Sequence, residues 1–113
     1  MLLQSHFISN IKGELVFSVG RNAVENSDLI RKSLPGTLWF HLENVPSAHV
    51  LIHPPKNLKK KQLRSLCKRG AEICRRYTNS CSDEKFPVCY TEVDNITLLD
   101  KPGEVSVRSY KIV

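Results

Sequence analysis

No run of apolar residues in this 113-residue chain comes near the roughly 18 that a membrane-spanning helix needs. Its start, Met1 to His6, has neither the basic n-region nor the apolar h-region of a secretory leader, so a reducing, cytoplasmic location is expected. Closely paired cysteines are also missing. Cys67, Cys74 and Cys81 recur every seventh residue and Cys89 follows eight later, unlike the short C-x-x-C spacings of structural zinc sites. Four reduced thiols used as small apolar side chains are expected, with no metal or other cofactor. Internal repeats, low-complexity tracts and linkers are absent, which points to one domain over 1–113. With 41% hydrophobic and 25% charged residues, the composition argues against disorder, collagen-like repetition and a disulfide-stapled mini-protein. Acids are the scarce charge: eleven Asp and Glu face seventeen Lys and Arg, a net charge of +6. Such a balance favours a polyanionic partner, either nucleic acid or an acidic membrane face.

What is present divides by periodicity. The apolar runs Phe7-Ile8 and Leu15-Val16-Phe17 flank Asn10-Ile11-Lys12-Gly13, which has the turn chemistry of a hairpin. After Gly20, the side-chain oxygens of Asn26, Ser27 and Asp28 can cap a short helix carrying Leu29, Ile30 and Leu34, stopped by Pro35-Gly36. Leu38 to Leu42 and Ala48 to Ile52 have the layout of two antiparallel strands. Alternation along them gives Leu38, Phe40, Leu42, Ala48, Val50 and Ile52 to a core face. It sends Trp39, His41, His49, Leu51 and His53 to the opposite face, the expected interaction surface.

From Asn57 to Tyr77 the spacing becomes helical, with Leu63, Leu66, Cys67, Ile73, Cys74 and Tyr77 near one stripe. Nine of the seventeen cations lie between positions 56 and 76 against the single acid Glu72, so this segment carries +8 and the remainder −2. The chain is therefore strongly polarised. Pro87 to Val93, Ile96 to Leu99 and Val105 to Val113 resume strand-like usage after the polar segment 78–85, with turns at Asp94-Asn95 and Pro102-Gly103. The expected fold is α+β: a mostly antiparallel sheet with one long basic helix and one short helix packed on one face.

Several spaced motifs, in order, resemble the NFACT-R family, the RNA-binding module of ribosome-associated quality-control factors. They are Gly20-Arg21-Asn22-Ala23 with Asn26 and Asp28, Leu38-Trp39-Phe40-His41, Val45 to Val50, Tyr90-Thr91 and Lys101-Pro102-Gly103-Glu104-Val105. The likeness runs from about Gly13 to the end and is greatest to the short, free-standing eukaryotic branch. Thr37 stands where that family usually has Asp, and Ser47 where it often has Gly. The loop before Pro102-Gly103 is short and contains Leu98, Leu99 and Asp100 in place of a lysine-rich stretch. The resemblance implies contact with tRNA or rRNA on the ribosome.

Two surfaces follow as expectations. Lys60, Lys61, Arg64 and Lys68 on the basic helix would meet phosphates, a salt-sensitive and sequence-tolerant contact. Trp39, His41 and His49 would face a base or sugar, since single-stranded RNA stacks on aromatic rings; the alternative is that the indole packs beneath a neighbouring element. Arg21, Asn22 and Asn26 have two readings, one as turn and cap residues and one with Arg21 as a phosphate fork beside a helix N-terminus. Bare phosphate contacts do not separate RNA from DNA, and the same surface could grip an acidic protein. Membrane-surface binding ranks lower because Leu63, Leu66 and Ile73 are better used against the sheet. No ordered spacing joins the histidines to further metal ligands, and no nucleophile-base motif surrounds Ser47 or the cysteines, so an enzyme is not expected.

Overall fold

The computed structural model describes residues 1–79, 81 and 83–113; Ser80 and Ser82, within the polar segment 78–85, lie outside the described residues. The first hairpin is longer than its apolar runs suggest. Strands β1 (Leu2–Ile8) and β2 (Gly13–Gly20) pair in register from Leu2 opposite Val19 to Ile8 opposite Gly13. Along β1 the even-numbered side chains turn inward, while Leu3, Ser5 and Phe7 remain exposed. The left-handed residue of the connecting turn is Lys12.

Helix α1 (Ala23–Lys32) begins earlier than expected. Its cap is Asn22, whose side chain accepts from the Glu25 amide at 2.9 Å, while Glu25 reaches back to the Arg21 amide at 3.1 Å. Asn26, Ser27 and Asp28 are therefore helical residues, not caps. The chain leaves the helix through Pro35-Gly36, where Gly36 takes a positive φ and donates to Asp94 Oδ1 at 2.8 Å.

Strands β3 (Leu38–Leu42) and β4 (His49–Ile52) pair as Leu38 with Ile52 and Phe40 with Val50. Helix α2 (Lys60–Tyr77) follows, then β5 (Val88–Glu92), a single 3-10 turn, β6 (Ile96–Leu98), β7 (Val105–Val107) and β8 (Lys111–Ile112). The main sheet runs β1-β2-β4-β3-β5-β8 and every pairing in it is antiparallel. Strands β6 and β7 form a separate two-stranded ribbon. The α+β class and the mostly antiparallel sheet stand as the patterning predicts, and the radius of gyration is 13.0 Å.

The helices do not share a face. Helix α2 packs its buried stripe, including Leu66, Cys67, Ile73 and Cys74, against Phe17, Val19, Phe40, Leu42, Val50 and Val88. The opposite face holds a second core of Ile30, Trp39, Leu51 and Cys89, with Leu29 of α1 and Ile96, Leu98, Val105 and Val107 of the ribbon packed on it. The sheet is thus apolar on both sides, and α1 and the ribbon roof the side expected to be open. All four cysteines are free thiols. Burial pushes Cys67, Cys74 and Cys89 up to about 11, away from thiolate chemistry.

Close approach of α2 to the sheet depends on Gly70, where an added Cβ would stand 2.7 Å from Cζ of the Phe40 ring. Phe40 is fully buried and has no room to retreat. Gly70→Ala is expected to destabilise the fold by about 1–3 kcal/mol through overpacking, despite alanine's better helix propensity. Urea denaturation checks this: a variant as stable as the parent or more so would show that α2 can lift from the sheet at no cost.

Candidate nucleic-acid interface

Helix α2 is amphipathic because its apolar residues follow helical spacing while its cations take the remaining positions. Lys60, Lys61, Arg64 and Lys68 are all exposed, and the i, i+4, i+8 series Lys60, Arg64, Lys68 sets them along one side. These four make a cationic ridge. Two further cations of the helix are engaged within the fold: Arg69 contacts Glu72 at 3.4 Å and donates to His6 Nδ1 at 3.0 Å, and Arg75 donates to the Phe86 carbonyl at 2.8 Å. Next to the ridge, Asp83 and Glu84 line a cleft with Lys68, Arg75 and Arg76, which bounds the positive surface on that side.

The expected Trp39, His41 and His49 surface is corrected by the structure. Trp39 and His49 are each only 2% exposed, and His41 is half-buried. The indole cannot stack on a base, because α1 and the β6–β7 ribbon enclose it. The three rings pack on one another: Trp39 and His41 lie nearly parallel with centroids 5.2 Å apart, and His49 meets both edge-on. Trp39 Nε1 donates to His49 Nδ1 at 3.1 Å. Because an indole N–H can only donate, that bond fixes His49 as the neutral tautomer protonated on Nε2. Burial brings His49 down to about 3, with a smaller contribution from neighbouring His41. His41 is also lowered by burial, against a hydrogen bond with the Leu42 carbonyl that works the other way.

Both histidines nevertheless border a functional-looking concavity. A groove of about 530 Å³ gathers Arg21, Asn22, Asn26, His41 and His49, which are five of the ten expected site residues. Its remaining walls come from distant parts of the chain: Pro46 and Ser47 before β4, Tyr77 and Thr78 at the end of α2, and the Pro102-Gly103 turn. Gly103 closes one side by donating to Ser27 Oγ at 2.7 Å, with its positive φ and the nearby Ala23 leaving no place for a side chain. Asn22 serves as the cap of α1, while Arg21 stays half-exposed at the rim with a loose ion pair to Glu25 at 3.8 Å. Asn26 is 7% exposed, and its Oδ1 has no hydrogen-bond partner.

The two departures at Thr37 and Ser47 are structural. Thr37 is buried, shares a hydrogen bond with His53 Nδ1 at 3.2 Å, and its carbonyl accepts from the Val93 amide at 2.8 Å. Ser47 Oγ accepts from the Leu42 amide at 3.0 Å, tying the strand connection down. Tyr77 and Thr78 were not foreseen as groove residues, since Tyr77 falls on the apolar stripe and only the helix end turns it toward the groove.

Over residues 4–109 the sequence matches the NFACT protein RNA binding domain family. The chain belongs to that family. Among solved structures, the C-terminal part of the fibronectin/fibrinogen-binding protein of Streptococcus suis shares this fold. It superposes with a TM-score of 0.80 over 98% of this chain and 44% of that one, at 23% identity. Coiled-coil domain-containing protein 25 of Danio rerio is 42% identical over 38 residues, 34% of this chain and 18% of that protein. The Mus musculus protein of the same name is 39% identical over 41 residues, 36% of this chain and 20% of that protein. The matched segments thus span about a fifth of the curated relatives. Among the described residues no helix is long and apolar enough to cross a membrane.

Neutral His49 makes the NFACT-R fold acid-sensitive. Unfolding restores its ordinary value of 6.5 from about 3, so between these values the unfolded chain binds the extra proton and stability falls as pH falls. One proton taken up gives a slope of at most about 1.4 kcal/mol per pH unit. The thermal midpoint should drop steadily from pH 7 to pH 4, and His49→Gln should flatten that decline. An equal pH dependence in the two proteins would remove His49 as its source.

Proposed function

We propose that this NFACT-R chain is a non-enzymatic RNA-binding module, acting over 1–113 as one unit, that docks structured RNA through the ridge of Lys60, Lys61, Arg64 and Lys68. The observation that carries the reading is the exposure of these four cations on one side of α2, within a chain belonging to an RNA-binding domain family. Phosphates reward such a row by releasing condensed counterions, so affinity comes from the backbone and depends weakly on sequence. The RNA is tRNA or rRNA, met on the ribosome in the cytoplasm, in keeping with the quality-control setting of the family's long members. Arg21, on the other side of the groove from α2, supplies a further phosphate contact, and Trp39 has no direct part.

Four ridge contacts and the one from Arg21 predict a slope of log Kobs against log salt between about −3.5, the single-strand limit, and about −4.5, the duplex limit. Replacing Lys60, Lys61 and Arg64 together by Glu should abolish binding to labelled tRNA while leaving the unfolding midpoint nearly unchanged, because all three side chains are exposed. Electrophoretic mobility shifts at several salt concentrations read both effects. Retained binding, or binding indifferent to salt, would overturn the ridge. A matched DNA of equal length separates RNA preference from general phosphate affinity, and displacement of an acidic protein partner by bare RNA separates nucleic-acid binding from an adaptor role.

A further inference from the structure

The ridge explains affinity for a polyanion but leaves the groove without a role. The two lie on the same helix: Lys60 opens α2 and Thr78 follows its last turn, roughly 27 Å along the axis at 1.5 Å per residue. A ligand touching both must therefore be several nucleotides long. The groove also differs from the ridge in chemistry. Among the described residues no lysine lines it, and its one cation is Arg21 at the rim. Its two histidines are held neutral by burial, and Glu104 borders it. Away from the Arg21 rim a phosphate gains little there.

What the groove offers is a pair of hydrogen-bond donors on its wall, from Asn26 and His49. The Asn26 side chain is more than nine-tenths buried, lines the groove, and leaves Oδ1 without a partner. That oxygen is sealed against Gly20, so the edge of the carboxamide left to the groove is its Nδ2 donor. The carboxamide has its place because residue 20 is glycine: a Cβ there would collide with Asn26 Oδ1. Gly20 in turn pairs across the sheet with His49, whose proton is confined to Nε2 by the Trp39 bond. Carboxamide and imidazole thus occupy neighbouring positions on the sheet, and the Trp39 bond fixes the role of the imidazole. At about 530 Å³ the groove lies within the ordinary size range for small-ligand sites.

We propose that this groove receives one unpaired nucleotide of the RNA whose backbone crosses the ridge, with Asn26 and His49 engaging the edge of its splayed base and His41 packing beside it. Unstacked bases in single-stranded segments present such edges, whereas paired bases in an RNA duplex hide them in a deep, narrow major groove. The proposal rests on the RNA-binding reading and adds selectivity for an unpaired position.

The probes are a blunt RNA hairpin and the same hairpin carrying a four-nucleotide single-stranded 3′ overhang. Wild-type protein should bind the overhang form at least tenfold more tightly, and the overhang alone should perturb the fluorescence of the single tryptophan, Trp39. Asn26→Ala and His41→Ala should reduce that preference to about unity while keeping the salt-dependent affinity for the blunt hairpin. Arg21→Ala, at the exposed rim, gives a variant free of core disturbance, and its preference should fall as well. Equal affinity of the wild type for both hairpins, or an undiminished preference in a folded groove variant, overturns the groove while the ridge stands. Failure to bind either hairpin overturns the ridge reading and the groove with it.

Discussion

The hydrogen bond from the Trp39 indole to His49 Nδ1 lies between two layers that must both be dry. One side of the sheet takes α2, the other takes α1 and the β6–β7 ribbon, and Trp39 is the largest side chain on the second side. Burying an indole gains apolar contact but requires an acceptor for its N–H. His49 supplies it from the adjacent strand, and in doing so becomes a neutral imidazole with one defined tautomer. The groove next to it inherits a wall whose protonation is settled by packing. A solvent-exposed histidine pair would titrate near neutrality and change the site with the medium.

Much of this architecture was legible because side-chain period reports layering. The alternation across Leu38 to Leu42 and Ala48 to Ile52 assigned each residue to the correct side of the sheet, and the long basic helix, Lys60–Tyr77, lies within the expected Asn57 to Tyr77 and ends where expected. What period could not report is whether the second side is covered. Trp39 and three histidines look like poor packing material, yet the cover comes from Ile96, Leu98, Val105 and Val107, more than forty residues later in three-residue strands. Short strands carry too little alternation to announce which surface they roof. The start of α1 was misplaced for a related reason: Asn22 and Asn26 are both plausible caps, and only the reciprocal contact between Glu25 and Arg21 separates them.

The site was legible in part. The cations of α2 were recognisable by their density, and their exposure follows from amphipathic spacing. Arg21, Asn22, Asn26, His41 and His49 were singled out individually, but their convergence into one groove depends on tertiary contacts that no local pattern encodes. The resulting surface divides labour between charge and shape. Long lysine side chains give a diffuse, screened attraction, and the groove holds fixed polar groups at short range. Phosphate contacts position a nucleic acid and base contacts discriminate within it, so the two regions differ in what they contribute to recognition.

The contact between Gly103 and Ser27 joins residues 76 positions apart and draws the late ribbon against the early helix. Chains emerge from the ribosome N-terminus first, and elements whose cover is encoded late must wait for it. The β3–β4 pair and α1 are therefore synthesised before the strands that cover their shared apolar side. A chain lacking the ribbon would leave the Trp39 indole without the cover it has in the complete fold.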